Sequence, residues 1–101
     1  MVDGMERLRR AGNLLRSQPD EAERLGLLAA ASETWSAMFD LERWPDELQT
    51  RAVALQRHLF RHGPIRQTVE EGDERERAAL RHELLSLVDF AEEFCRRAAS
   101  N

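Results

Sequence analysis

The sequence has no lysine and no tyrosine, a single cysteine, a single isoleucine and only three prolines. Each shortage excludes something. With Cys95 alone, no intramolecular disulfide can form, which fits a reduced compartment. The β-branched and aromatic residues that suit a pleated sheet are too few to build one. Gly4, Gly12, Gly26, Gly63 and Gly72 stand apart from one another, so no glycine-rich phosphate loop exists. No apolar run approaches the roughly 20 residues needed to cross a bilayer. The stretch from Met1 to Arg16 is broken by Asp3, Glu6, Arg7, Arg9 and Arg10, so it lacks the apolar segment of a secretion signal. A cytoplasmic location is the simplest expectation.

What is abundant points one way. The 101 residues include 14 Leu, 13 Ala, 15 Arg and 13 Glu, all strong helix formers that lose little side-chain freedom in a helix. The length allows one domain, spanning residues 1–101. The use of arginine for every basic position, with the alanine and leucine excess, is what GC-rich codons produce. It carries no functional weight by itself.

Punctuation and periodicity predict four helices. The first runs from about Asp3 to Arg16, with Met5, Leu8, Ala11 and Leu15 on one face and with Gly12 and Asn13 weakening it. The second begins near Pro19, behind Ser17 or Gln18 as a cap, and reaches Phe39 or Asp40. The third opens at Pro45 with Asp46 and Glu47 and stops at Gly63-Pro64. A short helical turn is expected over Pro64 to Glu71, stopped by Gly72. The fourth starts behind Asp73, with Glu76 placed to complete a capping box, and ends near Ala98. Leu48, Ala52, Leu55 and Leu59 form one stripe. Leu80, Leu84, Leu87, Ala91, Phe94 and Ala98 form another, flanked by Val88 and Cys95. Such faces must be buried against each other. The expected fold is all-α, an antiparallel up-and-down bundle of three to four helices.

Charge is laid down in blocks. Residues 1–17 carry a net +2, 18–47 a net −6, 48–66 a net +4 and 67–101 a net −4, giving −4 for the chain. Consecutive helices thus alternate in sign, which favours pairing neighbours along the chain. At about 0–1 kcal/mol per exposed pair, such charges select topology more than they add stability.

Several chemistries can be tested directly. A di-iron carboxylate bundle needs Glu three residues before His. Leu55, Leu59 and Ala79 occupy those positions before His58, His62 and His82. A zinc-protease helix needs a second His four residues after the first, but Ser86 follows His82 at that distance. His58 and His62 share a flank at i, i+4 spacing, without further ligands nearby in sequence, and a helix C-terminal role suits them better than metal. Cys95 has no evident base or thiolate-stabilising group and reads as core. Trp44, ahead of Pro45, reads as a staple holding the connection onto the bundle end. No catalytic triad or acid pair assembles, so no enzyme activity, metal or cofactor is expected.

The sharpest clue lies in the second helix. Leu25, Leu28, Ser32, Trp35 and Phe39 make one stripe, and Leu27, Ala31, Thr34 and Met38, continuing to Leu41, make a second. Together they span about 200° of the wheel, wider than one buried face requires. Phe60 and Val53 sit off the main stripe of the third helix, and Leu85 with Ala78 off that of the fourth. Either these residues close the bundle or they form a patch that a partner buries. The leading expectation is a non-catalytic protein–protein interaction module, including self-association as a homodimer through the second helix. Its expected contact residues are Leu27, Ala31, Met38, Leu41 and Phe60. The alternative is a small nucleic-acid-associated regulator using Arg51, Arg57, Arg61 and Arg66 of the basic segment 48–66. The chain's net acidity makes nucleic acid the less favoured partner, and no membrane association is expected.

Overall fold

The computed structural model describes residues 2–17, 23–38 and 44–100, and the side chains of residues 6–16, 24–38 and 44–97. Among the described residues there are five helices and no strand: α1 (Val2–Ser17), α2 (Glu23–Ala37), α3 (Asp46–Leu59), α4 (Ile65–Glu71) and α5 (Glu74–Ser100). The all-α reading is met. The expected start of α2 at Pro19, with its cap, falls outside the described residues, as do Phe39 and Leu41.

The spine is α5. Its 27 residues span about 40 Å at 1.5 Å per residue, which accounts for the 43 Å long axis of the molecule. Asp73 caps it: the Glu76 amide donates to Asp73 Oδ1 at 2.8 Å. Only half of the expected capping box forms, because the Glu76 carboxylate turns instead to His62 Nε2, 2.5 Å away. At the other end of the α3–α5 connection, Gly63 takes φ +115°, a backbone conformation that side-chain-bearing residues rarely adopt. It lets the chain reverse from α3 into α4, although α3 ends at Leu59, short of the glycine.

One hydrophobic core runs through all five helices. It contains Leu8, Ala11 and Leu15 of α1, Leu27, Ala30 and Ala31 of α2, the Leu48/Ala52/Leu55/Leu59 stripe of α3, Val69 of α4, and Leu80, Leu84, Leu87, Val88 and Ala91 of α5. The stripe expected for α3 is buried, as is that of α5 from Leu80 to Ala91, with Phe94 half-buried and the Ala98 side chain outside those described. Trp44 is buried at the start of α3, and its carbonyl accepts a hydrogen bond from Gln49 Nε2 at 2.6 Å.

The helix predicted to be weakest is well anchored. α1 packs on both α2 and α5. Gly12 is buried, and a Cβ there would lie 3.0 Å from Val88 Cγ1, so the missing side chain is what lets α1 seat on α5. Arg81 of α5 donates to the Leu15 carbonyl at 2.5 Å, satisfying one of the free acceptors at the end of α1. Arg16 pairs with Asp89 across the same seam.

Helix order departs from the up-and-down expectation at one seam. α1 lies against α2 and α5, α3 against α5, and α4 against α2, but α2 and α3 make no extended contact. The basic α1 and acidic α2 do pair through charge, with Arg7 and Arg10 reaching Glu33 at 3.5 and 3.8 Å. No ion pair joins α2 to α3 among the described residues, so sign alternation does not impose that neighbour. Pair energies near zero cannot overrule the burial of the α3 stripe on α5.

Candidate interaction surface

The two stripes of α2 are divided by size. Gly26, Leu27, Ala30, Ala31, Thr34, Ala37 and Met38 face inward. Glycine and alanine allow α1 to approach closely, and the bulkier stripe is left on the outer side. Thr34 is accommodated inside because its Oγ1 donates to the Ala30 carbonyl at 2.8 Å. Leu27, Ala31 and Met38, expected as partner contacts, are therefore core residues of this chain. They are at most 7% exposed.

The outer stripe runs Leu25, Leu28, Ser32, Trp35. Leu25 is 74% exposed, and Leu28 and Trp35 are half-buried against the core. Trp35 meets Phe60, just beyond the end of α3, edge to face, with ring centroids 4.8 Å apart and planes at 79°. Phe60 is 37% exposed and Val53, two turns earlier, 47%. These are the exposed large hydrophobic residues among those described. Trp35 and Phe60 meet across the α2–α3 seam, where the two helices make no extended contact; Val53 lies on the Phe60 flank of α3, and Leu25 is exposed near the start of α2. Of the expected contact residues, Phe60 lies on this surface. Val53, read in the sequence beside Phe60 as a candidate for such a patch, is exposed with it; Leu25, Leu28 and Trp35 are read there as one stripe of α2, and the small-residue spacing Gly26–Ala30 is the signal that marks the opposite face as the close-packed one.

The four arginines of segment 48–66 are placed differently. Arg51 lies over the Phe90 ring, 4.1 Å from its centroid, tying α3 to α5 by a cation–π contact. Arg57, Arg61 and Arg66 are exposed and enter no ion pair among the described residues.

One small cavity has polar walls. His58, Arg61, Thr68, Glu76 and Arg77 line a space of about 20 Å³ between the end of α3, α4 and the start of α5. That volume admits about one water and no metabolite. Arg77 is only 8% exposed and donates through Nη1 to the Gly72 carbonyl, closing the α4–α5 corner. His62 is engaged with Glu76, and its amide donates to Thr68 Oγ1 at 3.3 Å. His58 and the Glu76 partner of His62 thus line the same small space. Among the described residues no three His, Cys, Asp or Glu side chains converge as metal ligands, and no helix is long and apolar enough to cross a membrane.

No family model, curated protein or solved structure matches the chain.

Proposed function

We infer that the protein is a non-catalytic helical interaction module, and that its docking surface is the open α2–α3 seam. The observation that carries this reading is that Trp35 and Phe60 meet where α2 and α3 make no extended contact, with Phe60 and Val53 exposed on one flank of α3 and Leu25 exposed on α2. Covering exposed apolar surface yields about 25 cal/mol per Å². A helix laid between α2 and α3 would bury these side chains as an added member of the bundle. Arg57, exposed on α3 three residues before Phe60, would set the orientation of the added helix through its carboxylates.

Photo-crosslinking tests the reading. A benzophenone amino acid at Leu25 or Phe60, in the native cell, is expected to give discrete protein adducts. The same probe at exposed Arg75, on α5, is expected to give none. Equal labelling from all three positions, or none from any, refutes the docking surface. The nucleic-acid reading is carried only by the unpaired Arg57, Arg61 and Arg66. It predicts retention of DNA or RNA at low salt that is lost in R57A/R61A.

A further inference from the structure

We propose that the occupant of this seam is a second copy of the chain, docked through α3 in antiparallel fashion about a twofold axis at Val53. This rests on the interaction-module reading and commits it to a partner.

Residues along one flank of α3 follow a self-complementary order. Asp46, Gln49, Val53, Gln56 and Phe60 recur at intervals of three and four, the spacing of a helix–helix seam. They lie beside the buried stripe of Leu48, Ala52, Leu55 and Leu59 rather than within it. Gln49 and Gln56 are half-buried, and Val53 and Phe60 are exposed. Val53 sits midway between Asp46 and Phe60, seven residues from each. An isologous contact requires that a surface complement itself. Reversal about Val53 satisfies this. The two Val53 side chains meet at the axis, and Gln56 of the other copy falls at the level of Thr50, next to Gln49. Asp46 falls beside Phe60, between Arg57 and Arg61. Asp46, Arg57 and Arg61 are all exposed and form no ion pair among the described residues, so the charges that would meet are uncommitted. A parallel arrangement would set Asp46 against Asp46 and Arg57 against Arg57. The 14-residue length of α3 limits the contact to the small, transient class of interfaces, below about 1,200 Å² in total. The dimer is therefore expected at high protein concentration.

The test uses two complementary variants of the whole chain, D46R and R57E/R61E, with circular dichroism to confirm that each keeps its helix content. In sedimentation equilibrium up to millimolar concentration, the unaltered chain is expected to dimerise. Each variant alone is expected to dimerise at least tenfold more weakly, because like charges face one another at both ends of the seam. An equimolar mixture is expected to recover dimerisation to the original strength or above, since every pair then has opposite sign. In a C95S background, V53C is expected to oxidise to a covalent dimer, whereas A54C, one position off the axis, is not. A strict monomer at millimolar concentration overturns the proposal, as does a dimer indifferent to the charge changes. If the chain is monomeric while a probe at Phe60 captures a different protein, the second copy is refuted and the interaction surface stands. If neither association nor adduct is seen, both fall.

Discussion

Replacing Gly12 by alanine tests how α1 is held, and its sign discriminates between a docked and a free helix. In a helix interior exposed to solvent, Gly→Ala stabilises by about 0.8–1.0 kcal/mol, because glycine loses more backbone freedom on folding. Here the new methyl carbon would lie 3.0 Å from Val88 Cγ1. Carbon atoms prefer about 3.5–4.0 Å, so α1 or Val88 must give way. Overpacking of this kind costs about 1–3 kcal/mol. The expected net effect of G12A is a destabilisation of about 0–2 kcal/mol. Each kcal/mol corresponds to about 4–8 °C in Tm for a domain of this size. V88A alone leaves a void and is expected to cost about 1–3 kcal/mol. In the double variant the clash is removed and the added methyl occupies part of the void. The two changes should then couple favourably by about 1–2 kcal/mol. Urea unfolding followed by circular dichroism for the four proteins closes the cycle. If G12A stabilises by the full helix-propensity gain in both backgrounds, with no coupling, α1 does not seat on α5 through this contact.

Three further outcomes follow from individual contacts. The Trp44 indole N–H is buried without a hydrogen-bond partner among the described residues, a cost of about 1–3 kcal/mol that W44F removes while losing ring contacts of similar worth. W44F is expected within about 1 kcal/mol of the parent in urea unfolding, and a loss above about 3 kcal/mol would show that the N–H is satisfied. R77A gives up both the bond to the Gly72 carbonyl and a buried side-chain stem. It is expected to cost about 2–3 kcal/mol, whereas exposed R75A should stay within about 0.5 kcal/mol, again by urea unfolding. D73A removes the acceptor for the Glu76 amide and should lower stability by about 1 kcal/mol. D73N should retain most of it, and equal losses in the two thermal melts would mean that the cap is not the cause.

Much of this molecule was readable in one dimension. The stripe of α3 and most of that of α5 are repeats of leucine and alanine at helical spacing, and any burial of one face selects them. The Asp73 cap and the stop near Gly63 are local signals needing only neighbouring residues. The side of α2 that faces the core was not local. Both its stripes are apolar enough to bury, and the choice depends on how near α1 can come, which small side chains decide. Leu27, Ala31 and Met38 consequently became core, and Leu25 with Trp35 took the outer position. Gly12 illustrates the same limit: by helix propensity it weakens α1, while beside Val88 it is what permits docking.

Composition and period alone therefore determined an all-helical chain, the approximate ends of most helices and the apolar faces of α3 and α5, because these follow from backbone preference and from a 3.6-residue repeat. Tertiary packing decided which α2 face is hidden and that α3 rests on α5 rather than on α2. It also decided that Trp35 meets Phe60 across the α2–α3 seam while Leu25 and Val53 stay exposed. Those outcomes depend on distances between segments remote in the chain, where steric fit and buried area outweigh the weak pull of surface charge.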